Sequence, residues 1–179
     1  MTTNALQRSA MAILLFALLA CLGHEALAQG HRREVPYPVN TAYGINAHIP
    51  TVDDFEAMAR GGFGFARVDL TWNVIEPQPL AYRWDLVDPV VQDAESHNVR
   101  LLGILGFCPP WASSGGDAFY PPRSVKEWQG YVSAMVGRYR GRIQHWILWN
   151  EPNSNTFFHG NVEQFIRQVA SAQAANTAA

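Results

Sequence analysis

Apolar positions recur along this chain in two alternating rhythms. Four short runs have strand length and strand composition: Ala42–Ile49 (AYGINAHI), Phe63–Leu70 (FGFARVDL), Val99–Leu105 (VRLLGIL) and Ile143–Trp149 (IQHWILW). VRLLGIL is nearly continuous in apolar residues, as in a strand buried on both faces. Between the runs the pattern changes to helical. Thr51 with Asp54 three residues on forms a capping box that opens a short helix, and Gly61-Gly62 closes it. Asp88 before Pro89 reads as an N-cap with proline at the first helical position, opening a helix that reaches about Asn98. Ser124 and Glu127 make a second capping box. Behind it Val125, Trp128, Val132, Met135, Val136 and Tyr139 fall at helical spacing. A last helix is expected from Val162 to about Ala174.

Strands alternating with helices imply parallel βαβ units, in either a barrel or an open doubly wound sheet. A nucleotide-binding sheet should carry a glycine-rich loop after its first strand. Here that turn is AHIPTVDD, without glycine, and Gly61, Gly62 and Gly64 precede a strand instead. The residues with chemistry lie where strands end: Asn46 and His48, Asp69 and Trp72, Phe107 to Trp111, Asn150 and Glu151. That is where a (β/α)8 TIM-type barrel builds its active site.

The ends of the chain carry other information. Residues 1–28 read as a signal peptide: Arg8, then an apolar Ala10–Gly23 stretch, then Ala26-Leu27-Ala28 as a cleavage site. A lipoprotein-type box at Leu18–Cys21, with Cys21 as a lipid anchor, is the alternative. Residues 29–41 read as a polar, proline-bearing leader, and 42–179 as the domain of alternating strands and helices. Cleavage would leave Cys108 as the one cysteine, an apolar filler rather than a nucleophile. The product would be secreted or periplasmic and free of the membrane. At 48% hydrophobic residues and a net charge of −2, the composition gives no footing for nucleic acid.

The stretch WNEPN (Trp149–Asn153) carries the sharpest signal. Glu151 leaves an apolar, Trp-rich strand, where desolvation would raise its pKa and let it donate a proton near neutrality. The Asn150 amide could hold a substrate hydroxyl, and Pro152 should restrict Glu151 to extended backbone. The alternative is a surface carboxylate with proline ending the strand.

WNEPN at the end of a fourth strand resembles the acid/base motif of the clan A glycoside hydrolases. FARVDLTWNVIEP (Phe65–Pro77), YRWDLVDPVVQDA (Tyr82–Ala94), GFCPPWAS (Gly106–Ser113) and FYPPRSVKEWQGYV (Phe119–Val132) resemble segments of family 39 and family 5 members in the same order. The resemblance implies a (β/α)8 fold, of which about the first four βα units are present, and a secreted O-glycosyl hydrolase acting with retention on a polysaccharide or glycoside. It implies Glu151 as general acid/base and Asn150 as partner of the sugar 2-hydroxyl. Arg67 would lie below the nucleophile, or else in an ion pair of the barrel floor. His48, Trp72 and Trp111 would line the sugar site, Trp111 alternatively packing under a loop. No cofactor is implied, and the histidines have no metal-ligand spacing.

Retention needs two carboxylates about 5–5.5 Å apart, and the family carries its nucleophile on the seventh strand. This chain of 179 residues is short of the about 250 that such a barrel takes. The nucleophile is therefore expected to be absent and the chain inactive alone, as a fragment of a longer gene. A homodimer closed through the open edges, a non-catalytic carbohydrate-binding remnant and a non-functional fragment are the other readings.

Overall fold

A computed structural model describes residues 42–178. The expected signal peptide, leader and Cys21 lie outside the described residues. Strands β1 (Gly44–His48), β2 (Phe65–Asp69), β3 (Arg100–Leu105) and β4 (His145–Leu148) form one sheet, parallel throughout, in the order β1-β2-β3-β4. Helices α1 (Val52–Arg60), α2 (Trp72–Ile75), α3 (Trp84–Ser96), α4 (Val125–Arg138) and α5 (Val162–Ala178) follow the strands in turn. Sequential parallel strands need such crossovers, because a tight turn cannot return the chain to the same end of the sheet.

Each strand falls within its apolar run. Two helix starts fall where the capping boxes put them. Thr51 Oγ1 accepts from the Asp54 amide, and Asp54 accepts from the Thr51 amide at 2.8 Å. Ser124 Oγ accepts from the Glu127 amide. At the other end of α1, Gly62 takes a φ of +76°, which glycine adopts without steric cost.

The third helix departs from expectation. It begins at Trp84, a turn before Asp88-Pro89, and Pro89 lies inside it. Tertiary contacts hold that extra turn. Trp84 stacks on Tyr82 with ring centroids 4.7 Å apart, and the Arg138 guanidinium lies 4.6 Å over its ring. Asp88 caps nothing. It receives the Arg138 guanidinium in a two-pronged pair and the Tyr139 hydroxyl at 2.9 Å. Arg142 grips Glu95 in the same way, at 2.8 and 2.6 Å, so both pairs tie α3 to the end of α4.

The core lies between one face of the sheet and the helices. Ala66, Val68, Leu101 and Leu105 meet Phe55 and Met58 of α1, Val87, Val91 and Ala94 of α3, and Val132 and Met135 of α4. Its centre is aromatic: Trp72 stacks on Tyr131 at 5.3 Å, and Trp128 bridges Trp72 at 5.8 Å to Trp149 at 6.5 Å. Pairs of this kind add about 0.5–1.5 kcal/mol each beyond the area they bury. Every polar tip in the cluster finds a partner. Tyr131 donates to the Leu70 carbonyl at 2.6 Å, Trp128 to that of Gln168 at 3.1 Å, and Trp149 to that of Phe157 at 2.6 Å. Cys108 is fully buried and burial pushes its thiol pKa up, so it packs as a small hydrophobe.

The edge strands are less covered than their composition implies. His145 is exposed and the rest of β4 half-buried, whereas burial was expected; β4 has a strand neighbour on one side only among the described residues. Tyr43, Ile45 and Ile49, in and around β1, are exposed.

The guanidinium partners hold the Asp88 and Glu95 carboxyls below their ordinary values of 3.8 and 4.5. A carboxyl depressed by folding stabilises the fold above its unfolded value, and that contribution is lost as pH falls through the folded value. Both pairs are solvent-exposed, so each is worth at most about 1 kcal/mol. Asp88→Asn with Glu95→Gln should lower the melting temperature at pH 7 and flatten its decline below pH 4.5, measured by circular dichroism.

Candidate active site

The carboxyl ends of the four strands open onto a groove of about 590 Å3. Asn46 and His48 of β1, Arg67 and Asp69 of β2, Phe107 beyond β3, and Trp149, Asn150, Glu151 and Phe157 beyond β4 line it. Crevices at this end of a parallel sheet are where such folds bind ligands.

The backbone is left-handed at several of these positions. His48 has a φ of +48°, Phe107 +60°, Trp149 +67° and Glu151 +43°. Side chains other than glycine's rarely adopt such values, at a cost of about 1–3 kcal/mol each, and they persist where surrounding structure enforces them. For Trp149 the enforcement is visible. Its indole is buried between Phe107, Trp128 and Phe158, and its amide donates to the Leu105 carbonyl at 2.7 Å. Gly106 lies alongside; a Cβ there would come within 3.2 Å of the Trp149 Cα. At β1 the pairing register slips between Asn46 and His48, a bulge of the kind that redirects side chains.

Glu151 corrects two expectations. Its backbone is left-handed rather than extended, and Pro152 instead occupies the second position of a turn closed by the Ser154 amide on the Glu151 carbonyl at 2.9 Å. Its side chain is exposed rather than enclosed by Trp146 and Trp149, so the described residues supply no desolvating wall.

Arg67 joins the two ends of the sheet. Its Nη1 donates to Asn46 Oδ1 at 3.2 Å and its Nη2 to Asn150 Oδ1 at 2.7 Å. These partners are neutral amides, not the carboxylate of a floor ion pair. His48 Nδ1 is 2.8 Å from Asp69 Oδ2. With Nδ1 carrying the proton to the carboxylate, the other imidazole nitrogen is left for a ligand, and Asp69 serves to orient its neighbour.

The tryptophans fall elsewhere. Trp72, expected to line the sugar site, is 0% exposed and belongs to the core; its Nε1 donates to Glu76 at 2.6 Å. Trp111 is half-buried, packs edge-on to Trp72 and donates to the Glu76 carbonyl at 3.1 Å, which is the packing role. It is not among the groove's lining residues. Glu76 is a buried clasp that also accepts from the Leu80 amide at 2.7 Å. Together with burial it pushes the Tyr82 hydroxyl pKa up to about 12. Of the aromatic residues that line the groove, Phe107 and Phe157 were not singled out as binding residues. Phe107, the first residue of the informative Phe107–Trp111 stretch, carried a positional signal; Phe157, in the polar NSNTFFHG loop, carried none.

No family model matches the chain. In sequence it is similar to beta-glucosidase 5 of Oryza sativa subsp. japonica, 21% identical over 131 residues that make up 69% of this chain and 25% of that protein. In structure it is similar to a family 39 glycoside hydrolase from Bacteroides cellulosilyticus WH2, with a TM-score of 0.56 and 21% identity over 80% of this chain and 31% of that one. A family 10 xylanase from Thermobacillus composti gives a TM-score of 0.57 and 18% identity over 78% and 44%. The chain thus spans between a quarter and a half of the length of these relatives. What it shares with them is the glycoside hydrolase type of α/β fold.

Because Trp72 is core, Trp72→Ala should cost about 3–5 kcal/mol of stability, whereas Trp111→Phe should lose one hydrogen bond, about 1 kcal/mol. Urea denaturation of the two variants measures the difference.

Proposed function

We propose that these residues form the acid/base-bearing part of an exported, retaining glycoside hydrolase of the clan A type, a partial (β/α)8 barrel with a nucleophile outside this chain. The observation that carries the reading is the 2.7 Å bond from Arg67 to Asn150 beside Glu151, on the same groove. A guanidinium has donors and no acceptor, so the Asn150 amide must turn its oxygen to Arg67. Its –NH2 is left to point at a ligand. A fixed donor next to a carboxyl group is what a pyranoside needs: the donor takes the 2-hydroxyl, and the carboxyl faces the glycosidic oxygen.

In the reaction Glu151 protonates the departing glycosidic oxygen while the nucleophilic carboxylate attacks the anomeric carbon. Glu151 then takes a proton from the water that releases the sugar. Phe107 and Phe157 offer apolar faces for the C–H face of a sugar ring. His48, oriented by Asp69, offers one further hydrogen bond. The fold and the relatives favour a glycoside or polysaccharide substrate, and the apolar Ala10–Gly23 segment favours one outside the cytoplasm.

By itself this chain should release no sugar. In a complete barrel containing it, Glu151→Ala should lower kcat/KM on alkyl glycosides by about 10²–10⁴, and far less on dinitrophenyl glycosides, whose leaving group needs no proton. Steady-state kinetics on both substrates decides; equal losses contradict the assignment.

A further inference from the structure

Asn46 lies on an exposed edge strand, where an asparagine would ordinarily be interchangeable with any polar residue. Its environment argues otherwise. It is the register partner of Arg67 across the β1–β2 ladder, and its Oδ1 accepts from Nη1 at 3.2 Å. The other prong of the same fork reaches past β3 to Asn150 at 2.7 Å. A planar guanidinium held at both prongs has its rotation fixed. Held by Asn150 alone, it could swing. Two carboxylates, Asp69 and Glu151, line the same groove, and charge-assisted bonds to either would outcompete a neutral amide.

We propose that Asn46 is a positioning residue: it fixes the Arg67 fork, and through it the orientation in which Asn150 presents its –NH2 to the groove. Only its service to a sugar hydroxyl rests on the function proposed above; the relay Asn46–Arg67–Asn150 stands on the hydrogen bonds themselves. The bulge that follows Asn46 separates its duty from that of His48. Asn46 stays in register with Arg67, and His48 turns to Asp69.

The relay is read without substrate by nitrogen-15 NMR of the intact chain. The Asn150 side-chain amide is assigned by its disappearance in Asn150→Asp. Asn46→Ala removes the acceptor, so the Asn150 amide protons should shift toward the values of a free, solvent-averaged asparagine. Asn46→Asp retains an oxygen in the acceptor position and should keep the Asn150 signals near their original place. Asn46 is exposed, so backbone resonances of the core should stay unchanged in both variants. Unchanged Asn150 signals in Asn46→Ala, equal shifts in both variants, or a shift shared with the core would each overturn the proposal. The spectrum and the leaving-group kinetics of Glu151 are independent measurements, so a failure of the relay and a failure of the glycosidase reading are told apart.

Discussion

The groove depends on a left-handed turn of backbone at Trp149, directly after the last strand. Without that turn the chain would continue along β4, and Asn150 and Glu151 would alternate across the strand instead of both lining one groove. An L-residue resists such a φ. The resistance is overcome because the Trp149 indole is enclosed by aromatic rings from three segments and its two N–H groups are both satisfied. The aromatic core and the polar site are therefore one construction. Core packing fixes the backbone angle, and the angle delivers the side chains.

From there the site is organised by donors without acceptors. Arg67 can only donate, so it decides which atom each neighbouring amide shows to the groove. This arrangement needs little burial, which fits the exposure of Glu151 and Asn46. It also explains how a site can be ordered on a sheet whose outer strands each have one strand neighbour among the described residues. The order comes from bonds running across the sheet, from β1 through β2 to the end of β4.

Much of this was legible in the residues. Strands declare themselves by short apolar runs, and the starts of α1 and α4 by capping boxes, because both signals are local. The start of α3 was not legible: its first turn is held by Tyr82 stacking and by Arg138, far along the chain. The single turn α2 is too short to show a period. Asn150, Glu151, Arg67 and His48 come together on one groove, since each ends or lines a strand. Trp72 misled because an indole suits a core and a sugar site equally. Tyr131 and Trp128, which enclose it, lie on a later helix that no local pattern links to it. The Glu151 backbone misled for a different reason: the usual restraint from a following proline is overridden by the turn that closes onto Ser154.

The most direct test is a crystal structure of the complete barrel containing these residues, bound to a thio-linked oligosaccharide that cannot be cleaved. The account predicts a Glu151 carboxyl oxygen facing the interglycosidic sulfur, at about the hydrogen-bond reach required of a general acid, with the Asn150 –NH2 on the 2-hydroxyl of the adjoining sugar. A sugar seated away from the strand ends, or a different carboxyl group facing the sulfur, would contradict it.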